Sequence, residues 1–411
     1  MSGLTLPRGR LHGRWRAPGS KSLTNRALVC AAAAPGESRL LEPLVSDDTR
    51  VLAESLERLG ARVRFGERAV EVHGPLAPEP DREVELDIGP AGTPARFLCA
   101  LAAALPCRAL LDGSPRMRER PMGPLVDALT ALGASIEPLG RPGFLPLRIR
   151  GGTLRGGRVT IRGDVSSQFL SALMLASPLV PGGIELDVAG PLASASYLEL
   201  TRRVIAAFGG GPGGYRAARY RVPGDDSAAC FFLAGALVSR GRLEVDGLER
   251  DSAQPDAVFR AWAEEAGAAL EWSSETLVVD ATRTTAVRAL AADVDQAPDA
   301  ALPLAALLAF AGGESTLTGV ARLRDKESDR LAAAVDLVTR AGARAEEDGR
   351  RLTISPGPPR RADFQAHGDH RVAMSAAVLA LGLPAGCTLD EPAVAAKSNP
   401  RFFEDWAALL S

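Results

Sequence analysis

Residues 299–319 read DAALPLAALLAFAGGESTLTG: an alanine-rich apolar run, a glycine step and a short strand-like run. Up to Ala311 the run is apolar almost all round, as expected of a helix buried on several sides rather than a helix with one wet face. It is shorter than the ~18 residues that a membrane span needs, and Pro303 lies within it. The pattern returns five times along the chain. Apolar runs at 26–34, 95–105, 168–180, 227–238 and 371–383 precede GESRLLEP from Gly36, CRALLDG from Cys107, GGIELDV from Gly182, GRLEVDG from Gly241 and GCTLDEP from Gly386. Taken from Gly36, Cys107, Gly183, Gly241, Gly313 and Gly386, the spacings are 71, 76, 58, 72 and 73 residues.

Each unit continues into a second, amphipathic helical run, at 47–59, 120–132, 194–208, 257–266, 326–341 and 401–410. Five of these end in a glycine-led step, Gly60-Ala61, Gly133-Ala134, Gly209-Gly210, Gly267-Ala268 and Gly342-Ala343. Glycine just past a helix accepts the left-handed conformation that closes it. Six copies of helix, strand, helix and strands predict an α/β chain built by repetition. A stacked solenoid with no chemistry shows the same periodicity. Against it, equivalent points of the six units carry different and strongly polar residues.

Those residues cluster where helices begin. The apolar runs open on Pro18-Gly19-Ser20-Lys21-Ser22, Ala91-Gly92-Thr93, Ser166-Ser167-Gln168, Gly224-Asp225-Asp226-Ser227, Pro298-Asp299 and Gly368-Asp369-His370-Arg371. Asp47, Thr93, Asp225, Asp226 and Ser227 suit plain N-caps, which accept otherwise unpaired backbone N–H groups. Cations there run against the helix dipole by roughly 0.3–1 kcal/mol each. Lys21, Arg26, Arg120, Lys326, Arg330, Arg371 and Lys397 nevertheless sit near such starts. An anion held between cation and helix end makes both favourable, so the pattern predicts a grip on a small polyanion.

Composition agrees. The 411 residues carry 48 basic and 50 acidic side chains, a net −2, which excludes a dedicated nucleic-acid or polybasic membrane binder. Of the basic residues only Lys21, Lys326 and Lys397 are lysine; the other 45 are arginine. In an arginine-biased chain, three retained lysines mark places that need a compact ammonium group able to move a proton. Cys30, Cys99, Cys107, Cys230 and Cys387 show no metal spacing and read as buried thiols of a reducing compartment. The N-terminus lacks the apolar core of a secretory signal, and a cytoplasmic location is expected. No GxxxxGK[ST] loop is present, and no GxGxxG follows a strand. His12 and His73 are isolated, whereas His370 beside Arg371 is a candidate to line the site.

Eight stretches in order carry a resemblance: PGSKSLTNRAL at 18–28, AGTPARFL at 91–98, PRMRERPMGPLVDAL at 115–129, SSQFLSALM at 166–174, PDAALPLA at 298–305, LRDKESDRL at 323–331, DHRVAM at 369–374 and KSNPRFF at 397–403. With them the chain resembles the 5-enolpyruvylshikimate-3-phosphate (EPSP) synthase family along essentially its whole length. The resemblance implies an inside-out α/β barrel fold of two similar domains with three helix/strand repeats each, the helix starts facing an interdomain cleft that holds the active site. It implies a domain of 1–20 with 225–411 and an inserted domain of 21–224.

The reaction implied moves the enolpyruvyl group of phosphoenolpyruvate to the 5-hydroxyl of shikimate 3-phosphate and releases phosphate. By motif, Lys21, Ser22, Arg26, Ser166, Ser167, Gln168, Ser194, Tyr197, Asp299 and Lys326 are expected to bind shikimate 3-phosphate. Lys21, Gly92, Arg120, Gln168, Arg330, Arg371 and Lys397 are expected around phosphoenolpyruvate. Asp299 is the implied base towards the hydroxyl, and Glu327 with Lys21 the implied carrier of the carbon proton. Two plainer roles stay open: Asp299 as a helix cap and Glu327 as an ion-pair partner of Arg330. No metal or organic cofactor is implied, no nucleic-acid or membrane partner, and a monomer is expected.

The chain departs from the family pattern at Pro90, where the family often has Asn, and at Pro94-Ala95-Arg96-Phe97 and Arg322. These bear on the shape of the phosphoenolpyruvate pocket and on the response to the analogue glyphosate. Two rivals stand beside the resemblance. The sister enzyme acting on UDP-N-acetylglucosamine differs by a GxKN-type start and a loop cysteine, neither present here. A non-catalytic anion clamp on the same scaffold would have no use for both Asp299 and Glu327.

Overall fold

The computed structural model describes residues 3–163, 166–190 and 195–411. They form two compact units, Gly19–Val222 and Met1–Pro18 with Pro223–Ser411. The alanine-rich runs form helices Lys21–Ala33, Gly92–Ala104 and Ser167–Ala176 in the first unit, and Asp226–Ser239, Ala301–Leu308 and His370–Gly382 in the second. Nearly every side chain from Leu23 to Ala33 is buried, and likewise from Ala228 to Leu237 and from His370 to Leu381. Alanine allows this, because small side chains let neighbouring backbones and sheets close in without voids. Pro303 falls in the first turn of its helix, where no intrahelical N–H bond is lost.

After each buried helix the chain enters a strand with a parallel neighbour. Within single stretches, Glu83–Asp87 pairs with Arg108–Asp112, Gly157–Arg162 with Ile184–Ala189, Ala291–Asp293 with Ser315–Thr318 and Ala362–Phe364 with Cys387–Leu389. These are strand, buried helix, parallel strand units, the connection that parallel pairing requires. Two units exchange their first strand. His12–Arg16 precedes the Lys21–Ala33 helix but pairs with Arg242–Asp246, whereas Arg219–Arg221 precedes the Asp226–Ser239 helix but pairs with Gly36–Leu41. The chain therefore crosses between its units twice.

The His12–Arg16 strand is locked in place by aromatic packing. Trp15 stacks on Phe232 with ring centroids 3.8 Å apart, Trp406 lies 5.3 Å from Phe232, and the Trp15 indole donates to Asp405 at 3.2 Å. Gly60, Gly133, Gly209, Gly267 and Gly342 all have positive φ, as the glycine-led steps predicted. All five cysteines are free and buried. Among the described residues no helix is long and apolar enough to cross a membrane.

Three amphipathic segments differ from their expected limits. The 326–341 run is helical only over Arg330–Arg340. Lys326 is extended, and Asp329 accepts the Ala332 N–H at 3.0 Å, starting the helix four residues later. The 120–132 run is split into Pro115–Arg118 and Gly123–Ala131, with Arg120 between them. Pro121 disfavours helix at Arg120, and Pro124 suits the first turn of the second piece. Lys397 closes the short 3₁₀ segment Pro392–Lys397, so it sits at a C-terminal end where a cation is favoured. Lys326 and Arg120 thus lie just before a helix rather than inside one, and Lys397 lies in the 3₁₀ segment that precedes Phe402–Ala408.

Candidate active site

Two clusters of expected site residues form, one in each unit. In the Gly19–Val222 unit, Lys21 is the first residue of its helix, and its Nζ lies 3.1 Å from the buried Asp48 carboxylate. Arg26, one turn further on, is buried and has no carboxylate partner among the described residues. Its Nε donates to Thr201 Oγ1 at 2.8 Å, Nη1 to the Ser22 carbonyl at 2.9 Å and Nη2 to Ser171 Oγ at 3.1 Å. The rings of Phe97 and Tyr197 lie 5.4 and 5.9 Å from its guanidinium. Burial lowers its pKa to about 10. A buried cation held only by neutral groups is costly, and an arriving anion relieves that cost.

Gly92 opens its helix directly beneath the Arg120 guanidinium: a Cβ built there would lie 2.8 Å from Cζ and from Nη2. Arg120 is buried, with Nη1 3.9 Å from the Met117 sulfur and Nε without a hydrogen-bond partner among the described residues. Arg96 follows Gly92 by one turn and donates to the Gly92 and Pro121 carbonyls at 3.1 and 2.7 Å. It ties the Arg120 segment to the helix start, a role the sequence reading missed. Ser166 caps the third buried helix by accepting the Gln168 N–H at 3.3 Å, and the Gln168 amide donates to Thr93 Oγ1 at 3.3 Å. Thr93 is thus inside its helix and no cap. Ser167 is buried, Ser22 and Tyr197 are half-buried, and Ser194 lies outside the described residues.

The other unit holds the charged network. Asp299 accepts from Arg330 Nη1 and from Arg371 Nη2, each at 2.9 Å, with Lys326 Nζ at 3.9 Å. Burial alone would raise the Asp299 carboxyl, but Arg371, Lys326 and Arg330 outweigh it and hold it well below the usual carboxylate range. Glu327 bridges Arg330 Nη2 at 2.7 Å and Lys397 Nζ at 3.3 Å. Arg330 also donates through Nε to Asp369 at 2.8 Å, and its side chain is only 1% exposed. Arg330 thus contacts three carboxylates, Asp299, Glu327 and Asp369. Asp369 in turn caps the last buried helix through the Arg371 N–H at 2.9 Å. His370 is fully buried, its Nδ1 3.7 Å from Asp369. Of the expected caps, Asp225 accepts the Ser227 and Ala228 N–H groups, whereas Asp226 pairs with Arg260 and Ser252.

Asp48, Asp369 and Arg96 escaped the sequence reading because their roles depend on partners 27, 39 and 25 residues away. Among the described residues no group of three or more His, Cys, Asp or Glu is arranged to hold a metal.

The model of the EPSP synthase family, 3-phosphoshikimate 1-carboxyvinyltransferase, matches residues 6–406. The chain belongs to the EPSP synthase family. Curated relatives of that name include one from Sulfurovum sp. (strain NBC37-1), 38% identical with 98% of each chain covered. Another, from Methanoculleus marisnigri, is 38% identical with 96% of each covered. This EPSP synthase-family enzyme also shares its fold with EPSP synthase from Acinetobacter baumannii, at a TM-score of 0.81 and 23% identity over 99% of this chain and 97% of that one. The enolpyruvyl transferase NikO from Streptomyces tendae aligns at a TM-score of 0.75 and 17% identity, covering 98% of this chain and 96% of that one.

Proposed function

We propose that the protein is a 3-phosphoshikimate 1-carboxyvinyltransferase that joins phosphoenolpyruvate to shikimate 3-phosphate in the shikimate route to chorismate and the aromatic amino acids. The observation that carries this reading is the Asp299–Glu327–Arg330–Arg371–Lys397 network, in a chain of this family whose other unit presents the buried cations Arg26 and Arg120, which have no carboxylate partner among the described residues. Both substrates carry phosphate and carboxylate groups, which match cations lacking a counter-ion.

In this reading Lys21, Ser22, Arg26, Ser166, Ser167, Gln168, Ser194, Tyr197, Asp299 and Lys326 hold shikimate 3-phosphate, while Lys21, Gly92, Arg120, Gln168, Arg330, Arg371 and Lys397 surround phosphoenolpyruvate. Arg330 also positions the carboxylates Asp299, Glu327 and Asp369. The domains are taken as 1–20 with 225–411, and 21–224. Asp299 receives the proton of the 5-hydroxyl as its oxygen bonds to C2 of phosphoenolpyruvate and C3 gains a proton from Lys21 or Glu327. Elimination then breaks the bond from C2 to the phosphate oxygen and returns the C3 proton. Resting Asp299 is a weak base because three cations face it. Substrate anions that share Arg371 and Lys326 raise its proton affinity, so the base forms as the site fills. We place the enzyme in the cytoplasm as a monomer; its free, buried cysteines suit a reducing compartment.

Phosphate release on mixing the protein with phosphoenolpyruvate and shikimate 3-phosphate is the expected result. No release there, with turnover of UDP-N-acetylglucosamine, overturns the reading in favour of the sister reaction. A second expectation concerns Gly92→Ala: the methyl displaces the Arg120 guanidinium, and KM for phosphoenolpyruvate rises by roughly tenfold or more, equivalent to at least ~1.4 kcal/mol of lost binding. KM for shikimate 3-phosphate changes little. Steady-state kinetics in each substrate checks it, and equal effects on both count against the Gly92–Arg120 assignment.

A further inference from the structure

Thr201 and Ser171 carry fully buried hydroxyls, and no step above uses either. They stand on separate helices, Ser196–Ala207 and Ser167–Ala176, and meet the guanidinium of Arg26 on a third, Lys21–Ala33. Thr201 Oγ1 accepts from Arg26 Nε at 2.8 Å, and Ser171 Oγ accepts from Nη2 at 3.1 Å. The two hydroxyl oxygens are 2.9 Å apart.

The available protons fix the direction of every bond. A carbonyl can only accept, so the 2.7 Å bond from Thr201 Oγ1 to the Tyr197 carbonyl uses the single Thr201 proton. The bond between the hydroxyls is therefore donated by Ser171. Thr201 then has one lone pair towards Ser171 and one towards Arg26, so both hydroxyls turn lone pairs to the cation. Nη1 is held separately by the Ser22 carbonyl at 2.9 Å. Each Nη carries a second N–H that no hydrogen bond among the described residues takes up. A threonine bonded to the carbonyl four residues back is common in helices, which accounts for the Tyr197 bond but not for two bonds to a guanidinium 175 and 145 residues away.

We propose that Thr201 and Ser171 are positioning residues for shikimate 3-phosphate: the hydroxyl pair fixes the Arg26 guanidinium without neutralising it, so that its charge and outer N–H groups stay available to that substrate. This rests on the transferase reading above, in which Arg26 meets shikimate 3-phosphate. Arg330 in the other unit is the contrast, since three carboxylates both hold and neutralise it. Neutral acceptors give the same orientation while leaving the buried charge to be compensated by an arriving anion.

Thr201→Val keeps the shape of the side chain and removes the acceptor. KM for shikimate 3-phosphate is expected to rise about tenfold, with KM for phosphoenolpyruvate within about twofold and kcat moving less. Thr201→Ser, which keeps the oxygen, is expected to stay within about threefold of wild type. In an Arg26→Met background Thr201→Val is expected to change the affinity for shikimate 3-phosphate by less than about twofold, because its effect passes through Arg26. Steady-state kinetics and a binding titration of the four proteins against wild type give these values. If Thr201→Val does not fold, Ser171→Ala carries the same test, with a rise of roughly threefold. Wild-type protein with no turnover removes the transferase reading and this inference with it. Wild-type turnover with KM for shikimate 3-phosphate unchanged in the variant removes the inference alone, even if its melting temperature falls. An equal loss of affinity with and without Arg26 does the same.

Discussion

Glu327→Gln is expected to lower kcat by about 10²–10⁴-fold, the range that a positioned proton carrier contributes. The glutamate oxygens lie 2.7 Å from Arg330 and 3.3 Å from Lys397. A carboxamide fills the same space and can still accept from either cation, but it has no proton to deliver to a carbon or to retrieve from it. Affinity for shikimate 3-phosphate should stay within about twofold, because Glu327 faces two of the cations rather than the groups assigned to that substrate. Rapid-quench single turnovers together with a binding titration measure both quantities. If Glu327 were only an ion-pair partner, the pattern would invert. Turnover would remain near normal and stability would fall, which would take Glu327 out of the mechanism.

Arg330→Met is expected to cost about 3–5 kcal/mol of folding stability, the usual penalty for breaking a buried ion pair from one side. The guanidinium contacts Asp299, Glu327 and Asp369 at once and is 1% exposed. Its loss takes one cation from Asp299, which keeps Arg371, and from Glu327, which keeps Lys397, and takes the guanidinium from the fully buried Asp369. Burial would lower the Arg330 pKa, but these three carboxylates together raise it instead. The deficit should shrink in acid. Asp299 is held below its ordinary value in the folded state, so the stability tied to it is present above the unfolded value and disappears as pH falls through the folded one. Urea denaturation of wild type, Arg330→Met and Arg330→Lys tests this, with lysine intermediate because it keeps the charge and loses the fork. A loss below about 1 kcal/mol in Arg330→Met would show that the carboxylates find other partners or water.

The helices and most strands were legible because their signals are local. An apolar run such as 227–238 declares a buried helix through its own periodicity, and Gly60 or Gly342 declares where a helix ends through its own backbone freedom. The strand after each helix follows from the turn between them. Segment ends were less legible where two local preferences competed. Lys326 lies near a plausible start, but Asp329 offers the better cap; Arg120 lies within an amphipathic run, but Pro121 interrupts it.

The cations show the same division. Seven were traceable from their positions near helix starts, yet position alone did not tell what each would face. Arg26 is held by Ser171 and Thr201, 145 and 175 residues away, and Arg371 by Asp299 at a separation of 72. Arg120 covers Gly92 because Arg96 draws the intervening segment onto the helix start.

Order along the chain determined the family, the buried helices and the candidate cations, since each is written in neighbouring residues. Tertiary packing alone decided that His12–Arg16 and Arg219–Arg221 exchange sheets and that Arg330 gathers three carboxylates. The physical reason is the range of the interactions. Periodicity and capping act within a few residues, whereas strand pairing, desolvation and charge coupling depend on which distant segments the fold brings together.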